Sequence, residues 1–283
     1  RWRQWMRMTS LKLADPSVEL SFWNLGRLLS AGIRREVSWF DPHLHGAGYW
    51  CWKPFIMLRE LESLQEGDYL LYTDAGRPPG TLFRHSVQPL VQWLEEKGQD
   101  ILPGVNISYY TGDLSRWCKQ SVFDALNLDI RDFEHSPLIQ PTPCFLKKSE
   151  ESVRILREWM ELCRQFSLVS SPTPEEKSRC RDNFADHTHD QTLWSLVAAM
   201  NHLDCLYSGK GVIHLDGRQP FLRHPGFDDK DPDFFLGELG AERVERPLLT
   251  FLSGVHQGIA FCEKAVNKLS KIAGLGPLKG FYG

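Results

Sequence analysis

Residues 54–76, PFIMLRELESLQEGDYLLYTDAG, decide the fold class. Pro54 suits the first turn of a helix, where its missing N–H leaves no bond unmade. Met57, Leu58, Leu61 and Leu64 then recur at helical spacing and draw one apolar stripe. Gly67 and Asp68 end that helix, and Tyr69, Leu70, Leu71, Tyr72 and Thr73 read as a strand buried on both faces. A helix handing over to a buried strand, repeated along a chain, makes an α/β protein with helices covering a parallel sheet.

The same alternation extends in both directions. Upstream, Leu20, Trp23 or Asn24, Arg27, Leu28 and Ala31 predict a helix over 17–31, stopped at Gly32. A short strand over 36–40 follows and ends at Asp41-Pro42. Downstream, a helix is expected over 86–96 and a strand over 105–109. Residues 138–146 read as an edge or irregular strand, because Pro141 and Pro143 cannot donate to a ladder. Ser149 opens a helix with Glu150 and Glu151 in its first turn and Val153, Leu156, Met160 and Cys163 inward. Residues 170–186 are polar and proline-containing, a surface loop. A further helix starts at Thr188, where Thr188-x-x-Gln191 has the form of a capping box, with Leu193, Leu196, Val197 and Met200 inward. Residues 216–245 are loop-rich, and 255–272 read as an amphipathic helix bearing Lys264, Lys268 and Lys271.

Composition narrows the class. A chain of 283 residues makes one large domain or two smaller ones and buries a core without staples. Its 33 basic and 36 acidic residues give a net charge of -3, which argues against a partner held by phosphate neutralisation, so no nucleic acid is expected. No stretch approaches the ~18 apolar residues of a membrane span, and the first residues lack the apolar core of a signal peptide. The seven cysteines are scattered with no C-x-x-C pair, the pattern of reduced thiols, so a cytoplasmic protein is expected.

Three segments carry chemistry. Residues 46–54, GAGYWCWKP, bring two glycines, three aromatics and Lys53 to the start of a helix. Glycines let backbone approach a ligand, aromatic faces stack, and a lysine at a helix N-terminus attracts phosphate. The plainer alternative is a packed aromatic cluster with Lys53 in solvent. Residues 72–76, YTDAG, put Asp74 beyond the carboxyl end of a strand, where open α/β sheets bind ligands. A hard oxygen ligand there suits Mg²⁺ or Mn²⁺, while a turn aspartate bonding its own backbone is the alternative. Residues 184–191, FADHTHDQ, crowd His187, His189, Asp186 and Asp190 at one helix start. Such a set could hold a metal or a sugar hydroxyl, or be a solvated loop end.

In this order the three segments resemble a family of GT-A fold nucleotide-sugar glycosyltransferases marked by GYWxWKP, YxDAG and HDQ[ST]. Trp117-Cys118-Lys119, and Glu158-Trp159 within the helix after Ser149, extend the likeness over residues 22–225. The resemblance implies a Rossmann-like, mostly parallel sheet flanked by helices over residues 1–245, with a helical extension over 246–283. It implies transfer of a sugar from a nucleoside-diphosphate sugar, a uridine nucleotide, to an acceptor hydroxyl of a glycan or glycoconjugate, as in polysaccharide biosynthesis, assisted by Mn²⁺ or Mg²⁺.

Residue by residue, the resemblance places Tyr49, Trp52, Lys53, Asp74, Ala75, Gly76 and Lys119 on the nucleotide and its diphosphate. Asp74 is the remnant of a D-x-D metal motif whose third position is Gly76 here. By analogy with glycogenin-like transferases His224, or else His214, is the second metal ligand. Asp190 and Gln191 face the donor sugar or the acceptor. Asp190 serves as base if the anomeric configuration inverts, or steadies the oxocarbenium-like sugar if it is retained.

Two rivals keep the fold. One is a non-catalytic nucleotide-sugar or glycan-binding module with a degenerate metal motif. The other is a sugar-phosphate nucleotidyltransferase, whose glycine-rich basic loop near the N-terminus is missing here. The acceptor pocket would be built from 170–186 and 216–245. Ile259, Val266, Leu269 and Ile272 opposite the three lysines either dock peripherally on an anionic membrane or pack on the domain.

Overall fold

The computed structural model describes residues 2–74, 83–106, 113–209, 212–214, 220–222, 244 and 247–248. Contacts divide the chain into two units: Arg1–Ser21, Thr73–Trp93 and Arg223–Gly283 form one, Phe22–Tyr72 and Leu94–Leu222 the other. The expected helix over 255–272 and the boundary at 245 lie outside the described residues.

In the first unit, α1 (Trp2–Ala14) buries Met6, Leu11 and Ala14. Asp15 follows it and accepts from the Ser17 amide and hydroxyl, the Ser86 hydroxyl and the Val87 amide. Burial pushes its carboxyl up, yet these bonds outweigh burial and hold it below its ordinary value.

In the second unit, α2 (Leu25–Ser30) is shorter than the expected 17–31. Asn24 takes extended backbone and its side chain accepts from the Arg27 amide, so the helix begins only there. Gly32, at φ +93°, turns the chain directly into α3 (Ile33–Glu36), and no strand forms over 36–40. The turn α4 (Gly46–Tyr49) leads to α5 (Trp52–Ser63), which buries Met57 and Leu61 as its spacing requires.

β1 (Tyr69–Tyr72) is half-buried along its length, not buried on both faces. Its position at the edge of a three-stranded sheet, in the order β1, then β4 (Cys144–Lys147), then β2 (Ile101–Leu102), explains the difference. Both pairings are antiparallel, with Tyr69 opposite Lys147 and Tyr72 opposite Cys144. β4 is thus a central strand and not an edge, while residues 138–143 before it are irregular, the other form expected. Pro141 and Pro143 precede it and remove no ladder bond.

Helix α6 (Gln88–Lys97) matches its expected span to within two residues. A second sheet runs in the order β3 (Val105–Asn106), β5 (Leu206–Gly209), β6 (Val212–His214), β7 (Pro220–Leu222). β3 and β5 pair in parallel, and the other pairings are antiparallel. The described elements make an α/β protein.

Helices build the core of this unit. After α7 (Gln120–Leu126) comes α8 (Glu150–Arg164), opened by a capping box in which Ser149 and Ser152 each bond the other's amide. Short helices α9 (Phe166–Val169) and α10 (Pro174–Ser178) follow, the latter inside the segment expected to be loop. α8 packs against both α5 and α11 (Asp190–Met200). Ile155, Leu156, Trp159, Leu193, Trp194 and Val197 fill the seam. Each such side chain, fully buried, is worth roughly 1.5–3 kcal/mol. The Trp159 and Trp194 rings lie 4.6 Å apart, and the Trp194 N–H donates to the Pro103 carbonyl at 2.7 Å.

Candidate functional site

The turn before α5 has an unusual backbone. Gly46, Ala47, Gly48, Tyr49 and Trp50 all have φ between +52° and +90°, a single left-handed turn. Each non-glycine residue there costs roughly 1–2 kcal/mol. The two glycines make room for rings: a Cβ on Gly46 would meet Trp50 at 2.4 Å, and one on Gly48 would meet Phe40 at 2.9 Å. Close approach of ring to backbone, rather than of ligand to backbone, explains these glycines. Strain concentrated at one turn is a mark of functional sites.

The turn aims its aromatics at the start of α11. The Tyr49 ring lies 4.7 Å from His189, and His45 lies 5.0 Å from Trp50 and 5.4 Å from His189. Trp39 and Phe166 extend the cluster, at 5.3 Å from one another. The Trp52 indole N–H donates back to the Gly46 carbonyl at 3.3 Å, so Trp52 braces the turn.

Lys53, in the first turn of α5, points inward. Its ammonium lies 2.9 Å from Asp190 Oδ2, with the two side chains 7% and 2% exposed. Lys53 is thus not in solvent, although the packed aromatic cluster of the plainer alternative is present. Asp190 opens α11, and its carbonyl accepts from the Trp159 indole at 3.1 Å. Two segments remote in sequence thus meet at one buried ion pair.

The start of α11 departs from the expected capping box. His189 occupies the cap at φ +58°, while the Thr188 hydroxyl meets the Thr192 hydroxyl at 2.7 Å instead of engaging Gln191. Gln191 turns inward, where its Oε1 accepts from Gln140 Nε2 at 2.9 Å. His189 Nδ1 lies 2.9 Å from the Val169 carbonyl, an acceptor only, which makes Nδ1 the protonated nitrogen. Burial lowers the His189 imidazole below its ordinary value, partly countered by that bond. Burial, then the Lys119 ammonium, push His187 well below its own. Neither His187 ring nitrogen reaches a partner at hydrogen-bond geometry among the described residues, the Leu168 carbonyl being the acceptor beside it.

Lys119 caps α7 and is fully buried. Its ammonium lies 3.2 Å from Glu176 Oε1 and donates to the Ser170 carbonyl at 3.2 Å. In this arrangement it ties down the segment 170–180. Burial pushes the thiols of Cys51 and Cys163 up, Asp190 adding to both, so neither is a nucleophile near neutral pH.

The remaining expected residues belong to other segments. Asp74 lies two residues past β1, half-buried, and belongs to the first unit. Ala75, Gly76 and His224 lie outside the described residues, and His214 is the last residue of β6. Among the described residues no group of three or more His, Cys, Asp or Glu side chains is arranged to hold a metal. Of the residues expected to hold the ion, the described ones are Asp74, in one unit, and His214, in the other, and neither by itself fits a divalent site. Also among them, no helix is long and apolar enough to cross a membrane.

Sequence reasoning missed Gln140, Glu176, His45 and Phe166. Glu176 carries the capping-box pattern Thr173-x-x-Glu176, which marks a helix start and not a site, the other three sit in no motif, and what joins each to the site is folding alone. No family model, no curated protein and no solved structure matches the chain.

Proposed function

We propose that this chain is a glycosyltransferase of the GT-A type, moving a sugar from a uridine-diphosphate sugar to an acceptor hydroxyl of a glycan. The observation that carries the reading is the 2.9 Å pairing of Lys53 with Asp190, because it unites the first and third motifs of the resemblance in one place.

The chemistry asks for a cation where the leaving diphosphate gathers charge and a carboxylate near the sugar carbon. Lys53 supplies the first and Asp190 the second. In the unliganded pair each neutralises the other, so a diphosphate that draws Lys53 away also releases Asp190. Asp190 then takes the acceptor proton if the configuration inverts, or faces the sugar cation if it is retained. Trp50 lies within cation–π range of Lys53, 5.8 Å from ring centroid to ammonium, and restricts where the ammonium can move. A bound divalent ion would add Lewis-acid stabilisation of the diphosphate. The resemblance assigns that ion to Asp74, and the Asp74→Ala variant below tests the assignment.

A thermal-shift screen of nucleotide sugars with and without Mn²⁺ tests the binding, since a ligand of the folded state raises stability with its affinity. Slow donor hydrolysis then tests the chemistry. Hydrolysis lost in Asp190→Asn and in Asp74→Ala supports the transferase. Equal rates in wild type and both variants point to the second reading, a non-catalytic nucleotide-sugar or glycan-binding module, which the single carboxylate before Gly76 favours.

A further inference from the structure

We infer that Gln140 is a positioning residue that fixes the Gln191 carboxamide so that its N–H donors recognise a hydroxyl of the donor sugar. The inference rests on the glycosyltransferase reading and deepens it.

Gln140 and Gln191 are 6% and 7% exposed. The Gln140 amide nitrogen donates to Gln191 Oε1 at 2.9 Å. With Gln140 held in place, the Gln191 amide cannot flip without setting two NH₂ groups against each other. Its own nitrogen is buried and meets no hydrogen-bond partner among the described residues. The neighbouring Ser195 hydroxyl is matched. The Ser195 hydroxyl donates to the Gln191 carbonyl at 2.8 Å and accepts from the Ile139 amide at 2.8 Å. A donor left over in such a place calls for an oxygen from outside the protein.

Gln140 is well anchored for this task. Its amide donates to the Val105 carbonyl at 2.8 Å, and its carbonyl accepts from the Val105 amide at 3.2 Å. Gly104 allows that approach, since a Cβ there would lie 1.9 Å from the Gln140 carbonyl oxygen.

On the glycosyltransferase reading the diphosphate engages Lys53, which leaves a sugar hydroxyl, whose oxygen accepts an N–H, as the ligand for Gln191.

Calorimetric titration separates the sugar from the nucleotide. UDP and the tightest binder among UDP-glucose, UDP-galactose and UDP-N-acetylglucosamine are the probes. They are applied to wild type, Gln191→Leu, Gln140→Leu, the double variant and Gln140→Glu, each checked by thermal melting. Gln140→Glu preserves shape, offers acceptors alone and draws the Gln191 NH₂ onto itself.

The expected result is a roughly tenfold loss of UDP-sugar affinity in Gln191→Leu and a smaller loss in both Gln140 variants. UDP affinity stays unchanged, and Gln140→Leu adds nothing in the Gln191→Leu background. The inference is overturned if UDP and UDP-sugar weaken equally, if Gln140→Leu acts undiminished in that background, if no sugar binds more tightly than UDP, or if only melting temperatures change. Wild type that binds neither UDP nor any of the sugars sinks the glycosyltransferase reading itself.

Discussion

Lys53 and Asp190 face each other across 2.9 Å in the interior, one from the first turn of α5 and the other from the first residue of α11. Removing either partner strands the other charge in a place with almost no water. Lys53→Met and Asp190→Asn are each expected to destabilise the fold by about 3–5 kcal/mol. The double variant should lose less than the sum, with a coupling of at least about 2 kcal/mol in urea denaturation. Strict additivity would mean that the two groups do not share one charge balance.

Glycine at position 104 answers to a different constraint. A Cβ there would strike the Gln140 carbonyl at 1.9 Å, whereas one at Gly67 would meet nothing within 4 Å, although both have positive φ (+134° and +89°). Gly67→Ala should therefore cost only the backbone strain, about 1–2 kcal/mol. Gly104→Ala should cost about 3 kcal/mol or more, because backbone must move. Equal losses in chemical denaturation would contradict the clash.

The buried His187 couples stability to pH. Its imidazole stays neutral in the folded protein below the ordinary value of 6.5, because burial and then Lys119 disfavour its cation. The unfolded chain takes up the proton first, so folding stability is full above about pH 6.5 and falls as pH drops below it. His187→Gln should flatten that decline by up to about 1.4 kcal/mol per pH unit. Melting curves from pH 7.5 to 5 give the comparison, and identical slopes would exclude His187 as the source.

Glu176 acts lower on the pH scale. Burial raises its carboxyl, but the Thr173 amide, the Ser121 hydroxyl and Lys119 overcome this and hold it at about 2, below the ordinary 4.5. Its contribution is present above pH 4.5 and is lost as pH falls toward 2. Glu176→Gln should destabilise by about 3 kcal/mol at neutral pH, since it leaves the Lys119 ammonium buried without its carboxylate. The same variant should show a weaker acid decline. A loss under 1 kcal/mol would show that the Ser170 carbonyl suffices for Lys119.

Local signals strong enough to act alone were legible. The Met57 and Leu61 stripe and the Ser149 start of α8 formed where spacing and capping put them, and on α11 Leu193, Leu196 and Val197 are buried as expected while Met200 is 44% exposed. Where a rival side chain entered, the reading failed. Asn24 captured the Arg27 amide and cut α2 short, and Thr192 took the Thr188 hydroxyl that the capping-box pattern gives to Gln191. β1 has the apolar composition of a buried strand, yet its place at the sheet edge, which no local pattern encodes, leaves it half-exposed.

The amino-acid order by itself determined the helical segments, the α/β class and the residue types available for chemistry, because periodicity and capping act over a few positions. Only the tertiary structure decided that Lys53 turns inward onto Asp190, that Lys119 serves Glu176, and that Gln140 grips Gln191. Those partners lie far apart along the chain. Whether two such groups meet depends on how α5, α8 and α11 stack, and stacking is fixed by the summed burial of many side chains rather than by any one motif.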